Sequence, residues 1–343
     1  MKRYKHLWDD FISMENLELA AKKAVKSKKN KIAVKHFLDN KDVLLKKLQS
    51  DLINGKFKTS HYKTFTIYEP KKRIIYKLPL YPDHIVHHAL INILGPIWQS
   101  TFINDSYACI PGKGLHKASN RVMHFIRKYK YVLQCDIRKF FPSINHEIMF
   151  NIVKKKIADD KILNVLHDII FSVGGDSNLP IGNLTSQWMG NVYLNEMDHF
   201  IKEKLHAGAY MRYCDDFLIF GNNKNQLWQY EQIIRDFVFK NLNMFFSKSN
   251  VFPTSRGVAF IGYRHFKNFV LLRRFGARKM FKNIFNIVRF HDRSEKSIGQ
   301  LAAFYGWAKW CCSYNFKLFI YDMTTKTRPS MCRFVRKKFF INI

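Results

Sequence analysis

The stretch Met211-Arg-Tyr-Cys-Asp-Asp-Phe-Leu-Ile-Phe220 decides the fold, because it places two adjacent carboxylates between two apolar runs. The flanking residues favour strands, and Gly221-Asn222 is a turn signal. We therefore predict a β-hairpin with Asp215 and Asp216 at its tip. Like charges this close repel each other, and both ionise only with a cation between them. Oxygen ligands suit Mg²⁺, although an Asp-Asp pair in a loop is more often a solvated turn.

A third carboxylate that completes such a site ends another apolar strand, Tyr131-Val-Leu-Gln-Cys-Asp136. Aromatic residues and a Pro-Ser turn follow it. Two strands 79 residues apart (215 − 136) that each end in Asp can converge on one centre. A pair of metal ions held there clamps the attacking and leaving oxygens of an in-line phosphoryl displacement. The three carboxylates therefore predict phosphoryl transfer assisted by Mg²⁺.

The two carboxylate motifs resemble the catalytic centre of a reverse transcriptase, with Tyr213-x-Asp-Asp in the palm hairpin and Asp136 on the preceding palm strand. The segment Asn178–Asp198 is similar to the one between those motifs in the family. Most members have Pro-Gln-Gly there, whereas this chain has Pro180-Ile181-Gly182. The form Ile-Gly-Asn-Leu-Thr-Ser-Gln187 resembles the reverse transcriptases of diversity-generating retroelements in bacteria and their phages.

Three further segments match the family in the expected order. They are Lys71–Lys77, similar to the fingers motif that grips the nucleotide triphosphate, Asn241–Lys248, similar to the segment after the catalytic hairpin, and Phe260–Tyr263, similar to the primer grip. The ordered set covers roughly residues 60–310. Each motif alone is weak, but the whole set in the right order indicates the family strongly.

The resemblance implies an α+β, right-hand polymerase fold with fingers, an antiparallel palm sheet and a helical thumb. We expect an N-terminal extension and fingers over 1–125, a palm over 126–265 with interleaved fingers helices at about 150–185, and a basic thumb and tail over 266–343. Periodicity predicts the individual elements. These are two helices in 14–50, strands in 57–78, a helix over Asp83–Gln99 that ends near Gly95-Pro96, helices in Glu147–Phe171, a long helix over Leu184–Leu205, another over Leu227–Leu242, and helices throughout 270–343.

The resemblance also implies how the site residues divide their work. Asp136 and Asp215 bridge two Mg²⁺ ions, with Mn²⁺ as the substitute. Ile137 offers its carbonyl to the nucleotide-side metal, and Asp216 supports the primer-side metal. Lys248 is the candidate that protonates the departing pyrophosphate, although a lone Lys is more often a solvated surface group.

The remaining candidates concern the incoming nucleotide. Arg73 and Lys77 are the candidate triphosphate clamps. The planar guanidinium of Arg73 suits bidentate phosphate contact. Phe141 excludes a ribose 2′-hydroxyl, unless it is a core residue beside Phe140. The candidates around the nascent base pair are Ile181, Gly182 and Gln187. An aliphatic Ile181 offers no hydrogen bond, and discrimination that depends on hydrogen bonds is lost steeply without them. In the family this change accompanies errors at template adenines.

Composition agrees with a polyanionic partner. The 343 residues hold 58 Lys and Arg against 26 Asp and Glu, a formal charge of +32, and 15% are aromatic. Such a charge repels itself unless nucleic acid binds. Residues 264–296 alone carry ten basic residues against two acidic ones. No apolar run reaches the ~18 residues of a membrane span, and the N-terminus lacks an apolar secretory core.

The cysteines and histidines predict no metal cluster. None of the six cysteines, at 109, 135, 214, 311, 312 and 332, forms a Cys-x-x-Cys pair, which argues against zinc. Reduced thiols suit the cytoplasm of a bacterial host cell. His84, His87 and His88 have helical spacing without a companion cluster, so we interpret them as helix-face residues rather than ligands.

The resemblance therefore implies an RNA-directed DNA polymerase that makes error-prone, adenine-mutagenic cDNA from a template-repeat RNA to diversify a target gene. The partners implied are template RNA, a cDNA primer, dNTPs and a small basic accessory protein bound as a multimer, with no membrane. Two alternatives stay open. One is a retron-type or antiviral reverse transcriptase, and the other is an RNA-binding protein of polymerase ancestry.

Overall fold

The computed structural model describes residues 3–68, 71–290 and 294–312, which form a mixed structure of helices and short sheets. The helices are α1 (Trp8–Ile12), α2 (Met14–Val25), α3 (Ile32–Asp39), α4 (Lys41–Ile53), α5 (Ile85–Gln99), α6 (Leu115–Lys128), α7 (Phe140–Ser143), α8 (His146–Lys154), α9 (Asp160–Ile170), α10 (Leu184–His199), α11 (Lys224–Leu242), α12 (Arg274–Arg289) and α13 (Glu295–Lys309). The strands are β1 (Lys63–Ile67), β2 (Arg73–Lys77), β3 (Tyr131–Ile137), β4 (Tyr210–Tyr213), β5 (Asp216–Gly221), β6 (Phe246–Pro253), β7 (Val258–Phe260), β8 (Tyr263–His265) and β9 (Val270–Leu272).

The strands form three sheets. β1 and β2 are an antiparallel pair in which Lys63 lies opposite Lys77 and Ile67 opposite Arg73. The four-stranded sheet has the order β4-β5-β3-β6, so its two central strands are β5, which begins at Asp216, and β3, which carries Asp136 next to its last residue. The third sheet, β7-β8-β9, is antiparallel throughout.

Local capping explains where several helices begin. The Asn145 side chain accepts from the Ile148 amide at 3.0 Å and caps α8. Asp159 caps α9 in the same way and accepts from the Ile162 amide at 3.2 Å. Side-chain oxygens at these positions satisfy amides that have no partner within the helix. The other carboxylate oxygen of Asp159 accepts from the Leu7 and Trp8 amides, which fixes the start of α1.

Residues 1–111, 134–218 and 228–250 form one compact unit, as far as they are described. Helix α5 packs on both α2 and α10 at its centre. The apolar side chains that α5 and α10 bury include Ile85, Val86, Leu90, Leu94, Met189, Tyr193, Leu194 and Met197. Because α10 leads directly from the Pro180-Ile181-Gly182 loop into this core, packing fixes where the loop lies.

Residues 112–133, 219–227 and the described residues from Val251 onward form a second unit. Its core contains Tyr263 and Val270 of the three-stranded sheet, and separately Ile284 and Leu301 where α12 meets α13. Helix α6 is tied to this sheet by a buried hydrogen bond of 2.8 Å between Ser119 and His265.

The structure corrects two helix predictions in the N-terminal half. Residues 14–50 contain three helices rather than two, because the chain turns at Asn40 between α3 and α4. Helix α5 does not end near Gly95-Pro96 but continues to Gln99. A proline removes only one amide donor, and burial of Leu94, Ile97 and Trp98 continues across it.

The long helix predicted over Leu184–Leu205 is present, as α10 up to His199 and then a π-helical turn, Phe200–Lys204, that continues it. Another prediction farther along the chain needs correction. The region from 270 is not helical throughout, because Val270–Leu272 pairs with β8 as strand β9 before α12 begins. Residues 313–343 of the predicted thumb lie outside the described residues. The division into fingers, palm and thumb stays a prediction.

Candidate active site

The turn between β4 and β5 presents the acidic pair. β4 ends at Tyr213 and β5 begins at Asp216, so the predicted hairpin is present, but Cys214 and Asp215 form its turn and Asp216 already belongs to β5. Cys214 has a φ of +57°, a left-handed conformation that costs a residue with a Cβ of the order of 1–2 kcal/mol. Asp215 and Asp216 are both half-buried. The surrounding structure must therefore hold this turn in place.

The end of β3 lies against the same turn. The Ile137 amide donates to the carbonyl oxygen of Asp215 at 3.4 Å. Asp136, one residue earlier, is half-buried, and the Ser247 hydroxyl donates to its carboxylate. Ser247 lies on β6, which is anchored alongside by a 2.8 Å bond from the Arg138 amide to the Phe245 carbonyl. The structure thus brings Asp136, Ile137 and Asp215 together.

The electrostatics of the turn disfavour a bare charge. Burial raises the pKa of the Asp215 carboxyl above its ordinary value, and the Asp136 carboxylate raises this pKa as well. The Arg73 guanidinium opposes the shift. Burial also raises the pKa of the Cys214 thiol, which keeps the residue beside Asp215 neutral. A cation between the two carboxylates would relieve their repulsion.

The donor chemistry fits Mg²⁺. Asp136 and Asp215 offer carboxylate oxygens, Ile137 offers a backbone carbonyl, and Asp216 is adjacent, which are the hard oxygen ligands that Mg²⁺ prefers. Across residues 3–68, 71–290 and 294–312, no group of three or more His, Cys, Asp or Glu side chains is drawn close enough to hold an ion.

Strand β2 is clamped to the loop before α10. The Tyr76 amide donates to the Ile181 carbonyl at 2.8 Å. Gly182 has a φ of +129°, and a Cβ there would lie 2.3 Å from the Tyr76 carbonyl oxygen, so only glycine fits. Arg73 and Lys77 are exposed on this strand and share one of its faces, since side chains alternate along a strand.

The remaining nucleotide candidates lie on α7 and α10. Phe140 is buried, whereas Phe141 is only half-buried, with ring centroids 5.0 Å apart. The Phe141 carbonyl accepts from the Leu179 amide at 2.9 Å, which ties it to the same loop. Gln187 is exposed on the first turns of α10. Phe141 is thus not a core residue and keeps a surface for contact.

Lys248 is placed less favourably for its predicted role. It is exposed on β6, and its side chain makes no hydrogen bond or ion pair with another described residue. The residue of β6 that touches Asp136 is its neighbour Ser247. Because successive side chains of a strand point to opposite faces, contact by Ser247 does not favour contact by Lys248.

Sequence reasoning missed two groups around the turn. Ser247 lies within the matched segment Asn241–Lys248, but a Ser beside a Lys does not by itself predict a contact with Asp136. Arg212 gave a signal that went unused, since a charged residue between Met211 and Tyr213 interrupts an apolar strand. A buried Arg needs a carboxylate partner, and the structure supplies Asp198, with both side chains fully buried.

The profile of the family "Reverse transcriptase (RNA-dependent DNA polymerase)" matches residues 45–265, which include every candidate described above. The chain belongs to the reverse transcriptase family. The predicted α+β, right-hand polymerase fold is confirmed with it. The predicted enzyme class, RNA-directed DNA polymerase, is likewise confirmed at the level of the family.

Relatives of this reverse transcriptase include proteins of several kinds. Protein YkfC of Escherichia coli (strain K12) is 24% identical over 275 residues, covering 65% of this chain and 71% of that protein. The Retron Ec73 reverse transcriptase of Escherichia coli is 32% identical over 134 residues, covering 35% and 41%. The Group II intron-encoded protein LtrA of Lactococcus lactis subsp. cremoris is 23% identical over 132 residues, covering 36% and 22%. The chain thus spans less than half of the retron and intron proteins.

Solved structures with a similar fold include two telomerases. An apo telomerase from Candida tropicalis, truncated from its C-terminal domain, has a TM-score of 0.47 at 15% identity, covering 66% of this chain and 59% of that one. A telomerase from Candida albicans with a fragment of telomeric RNA has a TM-score of 0.48 at 10% identity, covering 83% and 62%. Both similarities are distant.

Proposed function

We propose that this protein copies an RNA template into error-prone, adenine-mutagenic cDNA that diversifies a target gene. The observation that carries the polymerase reaction is the meeting of Asp136 and Asp215 at the ends of β3 and the β4–β5 turn. Two carboxylates that repel each other and lie near a guanidinium suit the binding of metal ions and a triphosphate together.

Each residue then has a defined task. Asp136, Asp215, Asp216 and the Ile137 carbonyl hold two Mg²⁺ ions, or Mn²⁺ in their place. Metal ions held by these residues would supply charge that lowers the pKa of the primer 3′-hydroxyl and stabilises the pyrophosphate leaving group. Arg73, with Lys77 on the same face of β2, holds the triphosphate. For Lys248 to donate a proton to pyrophosphate, its side chain would have to reach the site from its exposed position on β6.

The nucleotide pocket carries the proposal of low fidelity. Phe141 keeps an exposed part and is tied to the loop through Leu179, which suits stacking against a deoxyribose. Ile181 is half-buried, and its backbone is held by Tyr76, so its aliphatic side chain has a fixed place. Gly182 follows in the loop, and exposed Gln187 lies on the first turns of α10. The Ile181 side chain can contact the nascent base pair by packing but cannot form a hydrogen bond with it. Errors at template adenines are the expected consequence for a member of the mutagenic subfamily.

The proposed partners follow from the resemblance to the reverse transcriptases of diversity-generating retroelements. Template RNA, a cDNA primer and dNTPs are the substrates. A small basic accessory protein, bound as a multimer, is the proposed protein partner of the reaction in cells. The cysteines at 109, 135, 214, 311 and 312 are free thiols, which suits the bacterial cytoplasm. In the described part of the chain, no helix combines the length and hydropathy needed to cross a bilayer.

The test is to purify the protein from its host with bound RNA and to sequence that RNA and any linked cDNA. We expect a repeat-containing RNA and cDNA whose substitutions concentrate at template adenines. The variants Asp215→Ala and Asp216→Ala should retain the RNA and lose the cDNA. Faithful cDNA from a compact RNA would instead indicate a retron-type enzyme. RNA without cDNA from the unaltered protein would indicate an RNA-binding or antiviral role.

A further inference from the structure

A fully buried ion pair lies directly behind the catalytic turn. Arg212 of β4 donates from Nε to Asp198 Oδ1 at 2.8 Å and from Nη2 to Asp198 Oδ2 at 2.6 Å. Neither side chain has any exposed surface. The hydroxyl of Tyr210, which is also fully buried, donates to the same carboxylate. The two parallel bonds fix the plane of the guanidinium as well as its position.

The third nitrogen of the guanidinium reaches the turn itself. Arg212 Nη1 donates to the carbonyl oxygen of Cys214 at 3.0 Å and to Asn191 Oδ1 at 3.1 Å. Cys214 is the residue with the left-handed φ of +57°, and its carbonyl belongs to the peptide that leads into Asp215. A bond to this carbonyl therefore fixes the orientation of the peptide that carries the catalytic carboxylate.

The groups that hold Arg212 are themselves anchored. The amide of Asn191, on α10, donates to the Ala108 carbonyl at 2.8 Å. The backbone of Arg212 accepts from the Tyr107 amide at 3.1 Å and donates to the Asp105 carbonyl at 2.9 Å. The guanidinium is thus held from α10 on one side and from the segment before α6 on the other.

Stability alone does not account for this arrangement. Desolvation of two charges offsets much of their attraction, and well-packed apolar residues of similar volume are often as stable. An apolar pair would fill the space but could not donate to the Cys214 carbonyl. What the ion pair adds is a directed hydrogen bond at the strained residue next to Asp215.

We propose that Arg212 is a positioning residue for catalysis, which fixes the Cys214–Asp215 peptide, and that Asp198 and Asn191 set the direction of its guanidinium. The inference rests on the proposed function, because it takes Asp215 to be a metal ligand. It goes beyond that function by assigning work to three residues that touch neither substrate nor metal.

The decisive variant is Arg212→Lys, which keeps a positive charge for Asp198 but loses the fork that reaches Cys214. We expect kcat for cDNA synthesis to fall about 100-fold, the scale of a misplacement near 1 Å, while KM for dNTP and RNA affinity stay unchanged. The affinity for Mn²⁺ alone should weaken in parallel. It is measured by electron paramagnetic resonance on the protein without nucleic acid. This second readout does not depend on activity.

Two controls separate positioning from stability. Tyr210→Phe removes a bond to Asp198 but leaves the bond from Arg212 to Cys214, so it should lower the melting temperature with kcat and Mn²⁺ affinity retained. Arg127→Lys alters an exposed hydrogen bond of 3.1 Å from Arg127 Nε to the Lys267 carbonyl, and it should change neither kcat nor Mn²⁺ affinity. If Arg212→Lys does not fold, Asp198→Asn replaces it and is judged by the same measurements, all made well below the melting temperature of each variant.

The outcomes are distinct. Unchanged kcat and Mn²⁺ affinity in folded Arg212→Lys would overturn the inference, as would an equal loss of kcat in Tyr210→Phe at a similar melting temperature. Failure of the proposed function would appear elsewhere, as an absence of cDNA from the unaltered protein or as full synthesis by Asp215→Ala.

Discussion

The Tyr76 amide donates to the Ile181 carbonyl oxygen at 2.8 Å, and this bond joins the strand that carries Arg73 to the loop that leads into α10. Gly182 follows with its Cα against the Tyr76 carbonyl, where a Cβ would come within 2.3 Å. The strand proposed to hold the triphosphate and the loop proposed to contact the base pair therefore form one clamp. Neither part can shift without the other.

Replacement of Gly182 tests this clamp. Gly182→Ala introduces both a clash with Tyr76 and a strained φ of +129°, which costs of the order of 1–3 kcal/mol. Because the strain separates β2 from the loop, we expect KM for dNTP to rise several-fold. Steady-state kinetics and thermal melting are the measurements. Gly208→Ala is the matched control, since a Cβ there meets nothing within 4 Å. Identical kinetics for the two variants would refute the clamp.

Replacement of Asp215 should stabilise the metal-free protein. Burial and the Asp136 carboxylate raise the pKa of Asp215 in the folded state above its unfolded value of 3.8. The fold therefore favours the protonated form, and its stability falls as pH rises through the raised pKa. Asp215→Asn lacks this loss, so in EDTA at pH 7–8 it should melt at a higher temperature than the unaltered protein.

The difference in melting temperature should shrink as the pH is lowered toward the unfolded pKa of Asp215. Added Mg²⁺ should then stabilise the unaltered protein more than Asp215→Asn. A lower melting temperature for Asp215→Asn in EDTA, or a difference that does not change with pH, would contradict the assignment of repulsion at this turn. Asp168→Asn cannot serve as the control, because the Asp168 carboxylate accepts hydrogen bonds from both the backbone amide and the hydroxyl of Thr59.

Replacement of Ile181 tests the proposed source of errors. Ile181→Gln places a hydrogen-bonding group near the nascent base pair, and misincorporation at template adenine should fall while synthesis continues. A discrimination of ~1.4 kcal/mol changes the error rate tenfold, so one partly formed bond is visible by sequencing cDNA. Ile181→Leu keeps the aliphatic character and should leave the errors unchanged. An active Ile181→Gln with the original adenine errors would move the cause to another residue or to the accessory protein.

Neutralising exposed basic residues of α12 should change how salt affects RNA binding. Each phosphate neutralised on a single strand contributes roughly −0.7 to the logarithmic salt slope. Replacing Arg274, Arg278, Lys282 and Arg289 with Gln should therefore flatten the slope by about two or more units if most of them contact phosphate. Removal of four exposed charges elsewhere, at Lys22, Lys35, Lys46 and Lys47, controls for net charge. An unchanged slope in the α12 variant would mean that this face is only solvated.

The places where sequence prediction was wrong share a cause. Pro96 predicted a helix end, but tertiary burial of Ile97 and Trp98 outweighs the loss of one hydrogen bond. Val270–Leu272 was predicted helical, but pairing with β8 makes it a strand. Short segments have weak local preferences, so the partner they meet in space decides their structure.

The sequence by itself determined the hairpin proposed to be catalytic, the carboxylates at its turn and near the end of β3, and the family to which they point. Alternation and charge within a few residues encode these features. Only the tertiary structure decided that Tyr76 holds Ile181, 105 residues away (181 − 76), that Ser247 binds Asp136, and that Arg212 holds Cys214 from a buried pair with Asp198. Such contacts depend on how whole elements pack, and local periodicity carries no record of which elements will meet.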